Sequence, residues 1–225
     1  GFKNSIEISL VTAVVGGTLG MLIAYAAIRE GTPRIVRTVL TTFSGVAANF
    51  AGIPLAFAFI ATFGTIGIFT KFLADLGFNP YQNGFNLFSK TGIELTYLYF
   101  QIPLMILVIA PAIDGLRREW REASSNLGAS PLQFWRYVGL PIMMPSLLSA
   151  IVLLFGNSFA AYATAYGLTG GFVTIVPLQI GYLVGGDVLS NPHLAEALAL
   201  GMFVVLGVMM ALYVPLQRIT SRWVR

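Results

Sequence analysis

The sequence predicts an all-α membrane protein, a polytopic helical bundle in which five transmembrane helices are visible. Hydrophobic residues make up 56% of the 225 residues and charged residues 10%, whereas a soluble domain carries about a quarter charged residues. The mean hydropathy is +0.80. Because the apolar residues come in long blocks rather than amphipathic periods, one soluble domain of this length is excluded.

Each predicted helix rests on an apolar block, since about 20 residues in a helix cross a hydrocarbon core of about 30 Å. The five blocks are Ile6–Ile28, Phe43–Phe69, Ile93–Ile113, Pro145–Tyr166 and Leu194–Leu216. No long hydrophilic stretch divides them, so residues 1–225 are predicted to form a single transmembrane domain.

The basic residues predict the orientation of the bundle. Three Arg lie between the first two blocks, four between the third and fourth, and three after the fifth, which is ten of the thirteen Lys and Arg. Cytoplasmic segments carry such an excess, so these segments are predicted to be cytoplasmic and Gly1 to lie outside. A chain that enters from outside implies an earlier helix, so we expect six in the full protein and a start upstream of Gly1.

The composition also limits the sites that this chain can build. It has no Cys and a single His193, so a disulfide framework, a thiolate site and a His cluster are excluded, and we expect no metal site. The net charge of +4 is spread between apolar blocks. It forms no basic patch, so membrane topology explains it better than nucleic-acid binding.

Gly and Pro interrupt two of the blocks. Gly52 and Pro54 lie in the second, and Pro103 and Pro111 in the third. Such breaks can kink helices around a central cavity, but Gly and Pro are also common in membrane helices for no functional reason. In the first block, three glycines near one face predict close helix packing rather than a substrate role: Gly16, Gly17 and Gly20.

The predicted outer segment, Gly167–Asn191, contains a short apolar run, Phe172–Val184, that Pro177 and Gly181 break. Thirteen residues are too few to span a bilayer, which favours a re-entrant or interfacial helix. The segment either contacts an external protein or forms an inert lid over the helix ends.

The predicted cytoplasmic loop, residues 115–141, has the signals of two short helices. The first covers about Arg117–Asn126 and ends at Gly128, whose backbone is permissive. Ser130 is a good N-cap, Pro131 occupies the first helical position, and a Gln three residues after Ser130 completes a capping box.

The second helix of the loop is predicted over Pro131–Val138, and Leu140 with Pro141 is expected to end it. It carries Leu132, Phe134, Trp135 and Tyr137, an apolar surface that indicates a protein partner. A helix lying on the lipid surface is the alternative. Glu122 is expected to pair with a partner's basic residue or with the chain's own Arg118 at i−4.

The run from Glu122 to Pro141 reads E-A-S-S-N-L-G-A-S-P-L-Q-F-W-R-Y-V-G-L-P. It resembles the EAA loop of permeases from binding-protein-dependent type I ABC importers, whose pattern is E-A-A-x3-G-x9-I-x-L-P. The positions that match without insertion are Glu122, Ala123, Gly128, Leu140 and Pro141. Ser124 replaces an Ala and Val138 replaces the Ile.

The resemblance implies a permease in which this loop passes ATP hydrolysis in a partner subunit to the membrane pore. It implies two cytoplasmic ATP-binding subunits, a second identical or different permease chain, an external substrate-binding protein and a bacterial inner-membrane location. ATP and Mg²⁺ would bind the ATPase, and we expect no cofactor in this chain. The S-F-A-A-Y-A-T-A-Y run, Ser158–Tyr166, is similar to permeases for polyamines, ferric iron or phosphonates.

Polar residues within the blocks are the candidates for a substrate pathway. They are Asn49, Glu94, Tyr97, Gln101, Asn157, Ser158 and Tyr162. Glu94 with Tyr97 and Tyr162 would suit a cationic substrate. Each residue can instead reach interface water or bond a neighbouring helix.

Other functions receive less support from the sequence. It has no G-x4-G-K-[ST] phosphate loop, so we expect a transport subunit without its own ATPase site. A self-sufficient secondary transporter or channel is the alternative, but no internal repeat is visible and the acidic residues lie at block ends. A membrane enzyme has no acid/base pair to support it, while export is not excluded by the residues themselves.

Overall fold

A computed structural model describes residues 1–28, 32–185 and 192–221, with side chains for 1–28, 32–185 and 193–215. The described residues form helices and contain no strand. The helices are α1 (Phe2–Ile28), α2 (Arg34–Asn49), α3 (Ile53–Phe63), α4 (Ile68–Asp75), α5 (Lys90–Asp114), α6 (Arg118–Asn126), α7 (Pro131–Phe134), α8 (Leu140–Ala160), α9 (Ala163–Thr169), α10 (Val176–Gly185) and α11 (Pro192–Ser221). A π-helical turn over Trp135–Gly139 joins α7 to α8.

The all-α membrane fold is confirmed. Within the described residues, five segments are long and apolar enough to cross a membrane: Phe2–Ile28, Ile53–Asp75, Lys90–Asp114, Pro131–Ala160 and His193–Pro215. The first, third and fifth agree with the predicted blocks to within a few residues, and the third is one helix, α5, that continues through Pro103 and Pro111.

The second predicted block is wrong as a single helix. The chain leaves the helical conformation after Asn49, and Gly52 has φ +78°, which an L-residue rarely adopts. Pro54 then lies in the first turn of α3, where a missing N–H costs little. A second interruption, at Gly64–Gly67, separates α3 from α4.

The fourth predicted block is wrong at both ends. A continuous helical path runs from Pro131 to Ala160 and stops at Ala161, before the predicted end at Tyr166. Residues 163–166, which were predicted to end this block, instead begin the separate helix α9.

Close packing around α1 holds the bundle together. A Cβ added to Gly20 would lie 2.6 Å from the Met105 Cβ and 2.7 Å from the Ile102 carbonyl oxygen of α5. A Cβ on Gly16 would lie 2.9 Å from the Gln101 Cβ, while Gly17 faces α8. The predicted packing role of the three glycines is confirmed, since backbones approach closely only where side chains are absent.

Two apolar clusters divide the core along the bundle. One joins the second halves of α1 and α5 to α8 through side chains such as Ala24, Ile109 and Leu154. The other joins the beginnings of α1 and α5 to α3, α9 and α10 through Ile8, Leu55 and others.

The segments at the α10 end are tied to the bundle by hydrogen bonds. The Val176 N–H donates to Ser5 Oγ at 2.9 Å, and Asn4 Nδ2 donates to the Thr174 carbonyl at 3.0 Å. The short helix expected in the run Phe172–Val184 is present as α10, and its re-entrant or interfacial position stays a prediction. Residues 186–191 lie outside the described part. Between α4 and α5, Tyr81 donates to the Phe63 carbonyl at 2.9 Å. Burial raises the pKa of this phenol, which keeps its proton available for the bond.

Candidate functional site

The first helix of the 115–141 segment ends as its sequence predicts. Gly128 has φ +78°; its N–H donates to the Ser125 carbonyl at 2.9 Å, and the Ala129 N–H donates to the Ser124 carbonyl at 3.0 Å. These two bonds form a Schellman motif, which fixes the direction in which the chain leaves α6.

The next helix starts with the predicted capping box. The Gln133 N–H donates to Ser130 Oγ at 3.3 Å, and the Ser130 N–H donates to Gln133 Oε1 at 2.7 Å. Pro131 occupies the start of the helix. Two donors that a helix start leaves unpaired are thereby satisfied, so the turn between α6 and α7 is fixed by local chemistry.

The predicted stop at Leu140 and Pro141 is wrong. The Leu140 N–H bonds the Trp135 carbonyl, five residues back, so the helix widens into a π turn instead of ending. A Pro clashes with the carbonyl four residues earlier in a regular helix, and a π turn relieves that contact by shifting the register. The exposed helix at Pro131 and the membrane helix α8 are therefore one element.

Two aromatic residues of the segment face the bundle, contrary to the prediction that they are exposed. Phe134 is buried, and the half-buried Trp135 meets the Tyr25 ring of α1 edge to face, with centroids 4.8 Å apart. Arg121 lies over the Phe134 ring at 5.5 Å and donates to the Tyr25 hydroxyl at 3.3 Å. The segment is thus anchored to α1 as well as to α8.

Three large apolar side chains of the segment are exposed. Leu127, Leu132 and Tyr137 are 87%, 79% and 68% exposed, and we call them the apolar ridge. Ala123 and Glu122 are also exposed, and Glu122 accepts a hydrogen bond of 2.7 Å from Arg118 Nε. The self-pairing considered for Glu122 is therefore observed.

Three of the predicted pathway residues are buried and bond other helices. Tyr97 donates to the Ala161 carbonyl at 2.7 Å, and Gln101 Nε2 donates to the Leu154 carbonyl at 2.7 Å. The Ser158 hydroxyl shares a hydrogen bond of 2.9 Å with Thr12. Within the described residues the Gln101 Oε1 has no partner. These groups bond neighbouring parts of the bundle, which is the alternative that the sequence left open, and their place in a substrate pathway stays a prediction.

The other four candidates are accessible. Asn49 is exposed at the end of α2, where its Nδ2 donates to the Gly45 carbonyl at 2.8 Å, and Glu94 is half-buried on α5. Asn157 is exposed beside an apolar groove of about 570 Å³ between α5, α8 and α11. Tyr162 is exposed and stacks on another tyrosine, with ring centroids 5.5 Å apart.

The backbone groups freed at two helix breaks are bonded by side chains from elsewhere in the bundle, and one of these side chains, Thr164, was not predicted. The Gly52 N–H, between α2 and α3, donates to Thr164 Oγ1 of α9 at 2.8 Å. The Ala161 carbonyl, between α8 and α9, is the group that Tyr97 satisfies. We call residues 50–52 and 161–162 the paired breaks. The interruption at Gly52 was visible in the sequence, but nothing in it indicated Thr164 as the partner.

The family model described as "Binding-protein-dependent transport system inner membrane component" matches residues 16–225. The chain belongs to this family. Its members are permease subunits of ABC transporters, and the predicted family is confirmed.

Relatives with different described substrates are similar to the chain. The probable sulfate transport system permease protein cysT of Nephroselmis olivacea is 26% identical over 180 residues, covering 79% of this chain and 58% of the relative. The spermidine/putrescine transport system permease protein PotC homolog of Mycoplasma pneumoniae is 28% identical over 180 residues, covering 76% and 54%. The chain thus spans little more than half the length of these relatives.

Solved structures share the fold. One of the MetNI methionine ABC transporter, in inward-facing conformations, matches with a TM-score of 0.67 at 19% identity, covering 96% of this chain and 93% of that one. A bacterial alginate ABC transporter, in complex with an alginate-bound periplasmic protein, matches with a TM-score of 0.72 at 16% identity, covering 97% and 78%. At these identities the likeness establishes the architecture alone.

Proposed function

We propose that this chain forms half of the translocation pathway of an ATP-driven importer and couples to a cytoplasmic ATPase through residues 115–141. The observation that carries the proposal is the continuity of one helical element from the capped turn at Ser130 to Ala160 in the membrane. A push on the exposed end of such an element reaches the bilayer without passing through a flexible joint.

The apolar ridge is the surface that we propose to dock in a cleft of the ATPase. Its three side chains are exposed, and exposed apolar patches of this kind mark interaction sites. When the cleft moves, the segment would carry α8 by chain continuity and α1 through the Trp135–Tyr25 contact. A rigid-body movement of packed helices is an established way to alternate access.

We propose that the complex contains two ATP-binding subunits, a second permease chain and an external binding protein. The family description supports the binding protein and the inner-membrane location. The charge distribution supports a cytoplasmic position for residues 115–141 and for the C-terminus. Since ATP and Mg²⁺ would be held by the ATPase subunits, this chain would be a transport subunit rather than an enzyme.

The accessible polar residues are our candidates for the passage: Asn49, Glu94, Asn157 and Tyr162. The substrate that we propose is a small solute handed over by the binding protein. Polyamine, ferric iron and phosphonate were the expected classes, and the relatives named above include a polyamine system beside a sulfate system. The half-buried carboxylate of Glu94 favours a cation within that range.

A pull-down from native membranes tests this proposal. The full-length protein is tagged, solubilised gently and purified as wild type, as Leu132→Glu and as Leu76→Glu. Leu76 is 68% exposed just after α4, so it controls for loss of an exposed leucine elsewhere. We expect an ATP-binding subunit to copurify with wild type and Leu76→Glu and to be lost from Leu132→Glu.

A different result would refute the importer. If the wild-type protein purifies alone and still moves a solute in liposomes without ATP, it is a secondary transporter or channel. If the ATP-binding subunit stays with both variants equally, the apolar ridge is not the docking surface.

A further inference from the structure

A small cavity lies where α1 and α5 end and α6 begins. Its volume is about 120 Å³. Ile28 and Ile113 form part of an apolar floor, and three arginines form the rim: Arg117, Arg118 and Arg121. Because the two longer helices cross the membrane, the cavity lies at the boundary between hydrocarbon and water.

The charge around this cavity is not balanced. Among the described residues one acid lines it, Asp114, and its carboxylate is already paired with Arg37. Arg118 is paired with Glu122. In this described set, four arginines and two carboxylates leave a net charge of +2. An anion entering the cavity would therefore meet a positive potential.

Two of the arginines are held in place by neighbouring rings. The Arg121 guanidinium lies 5.5 Å from the Phe134 centroid and donates to the Tyr25 hydroxyl at 3.3 Å. The Arg117 guanidinium lies 5.9 Å from the Trp120 centroid. A guanidinium that is already oriented loses less freedom when it binds a ligand, so the rim is arranged in advance for an anion.

We propose that this cavity binds a phosphate group, either the headgroup of an anionic phospholipid or a free phosphate ion. Arginine forks match phosphate oxygens in a bidentate geometry. The floor is apolar and the rim basic, as in pockets between membrane helices that take lipid headgroups. This proposal does not depend on the proposed coupling to an ATPase. Lipid headgroups supply phosphate groups at the depth of the cavity on whichever side of the membrane the cavity lies.

Occupancy of the cavity would strengthen the attachment of residues 115–141 to the bundle. Arg121 and Phe134 line the cavity and also form the contact with Tyr25. A bound phosphate would hold Arg121 in the position in which it bridges α6 to α1. A membrane surface rich in phosphate groups would thus stabilise the packing of residues 115–141 against α1.

Thermal unfolding of the purified full-length chain in a neutral detergent tests the site. The midpoint is measured after addition of phosphatidylglycerol, of zwitterionic phosphatidylcholine, or of inorganic phosphate with chloride as the ionic-strength control. The variants are Arg121→Gln, Arg117→Gln and the control Arg34→Gln, which removes the same charge from the exposed start of α2. Arg117→Gln serves if loss of the Tyr25 contact prevents Arg121→Gln from folding.

We expect a rise in the midpoint of several degrees for wild type and Arg34→Gln, and at most half that rise for the two cavity variants. A rise with phosphatidylglycerol alone assigns the group to a lipid, and a rise with inorganic phosphate assigns it to a free ion. An equal rise in all variants, or no rise with either source, overturns the proposal.

Discussion

The 115–141 segment and the paired breaks are both places where a helix changes direction, but different forces hold them. In the segment, the turn between α6 and α7 is closed by bonds between residues no more than five positions apart. At the paired breaks, the free backbone groups are satisfied by Thr164 and Tyr97, which lie 112 and 64 residues away in the chain. Hydrogen bonds between near neighbours in sequence thus fix the turn between α6 and α7, whereas hydrogen bonds to other helices fix the paired breaks.

This difference has a mechanical consequence. A turn closed by its own residues keeps its shape when its surroundings change, as a docking element must. A break whose partners lie on other helices keeps its shape only while those helices stay together. Movement between conformations is therefore expected at the paired breaks and not at the capped turn.

The largest effect is expected from Gly20→Leu. The new side chain would collide with the Met105 Cβ and the Ile102 carbonyl oxygen, and a backbone atom cannot rotate away. We expect destabilisation of about 3 kcal/mol or more, which removes most of the folded protein. Size-exclusion yield and the thermal midpoint in detergent measure it. Gly45→Ala is the control, because a Cβ at Gly45 meets nothing within 4 Å, and a yield unchanged in both would contradict the packing account.

A smaller loss is expected from Tyr97→Phe. The change leaves the half-buried Ala161 carbonyl without the hydroxyl that now satisfies it, which costs about 1–2 kcal/mol. Hydrogen exchange around residues 161–162 should rise together with the fall in thermal midpoint. Tyr99→Phe is the matched control, since within the described residues the Tyr99 hydroxyl has no hydrogen bond. Equal effects of the two changes would show that the hydroxyl of Tyr97 is not what holds the break.

Ser130→Ala should cost about 1 kcal/mol, because it removes the acceptor of the capping box. Since the capped turn is local, we expect faster hydrogen exchange over residues 130–134 and little change at the paired breaks. Ser125→Ala, on the exposed end of α6, serves as the control. A disturbance that reaches residues 161–162 would mean that the two regions are not independent.

The smallest effect is expected from Glu122→Gln. Its ion pair with Arg118 joins two exposed side chains four residues apart on a helix, which contributes about 0.5 kcal/mol or less. The thermal midpoint should therefore move by no more than it does for Glu119→Gln, an exposed acid on the same helix. A clear drop for Glu122→Gln alone would show that this pair holds the segment's structure.

The parts that the sequence predicted correctly are those with short-range causes. Ser130 with Gln133 and Gly128 carry their structural role within a few residues, and apolar block length sets the helices of the bundle. The π turn at Trp135–Gly139 was not predictable, because Pro141 usually signals an end and only the structure shows the wider turn. Likewise, the hydrogen-bond partners of Tyr97 and Gln101 on α8 and beyond were not predictable, because they lie far away in the chain.

A photocrosslinking experiment tests the central claim most directly, because residues 1–225 contain no cysteine and a thiol introduced there is the single one within them. Leu132→Cys and Leu76→Cys are each labelled with a thiol-reactive photocrosslinker in native membranes and irradiated, and the products are identified by mass spectrometry. We expect position 132 to crosslink to an ATP-binding subunit and position 76 not to do so. A product with lipid alone at position 132, or the same ATP-binding subunit at both positions, would contradict the role of residues 115–141 in coupling.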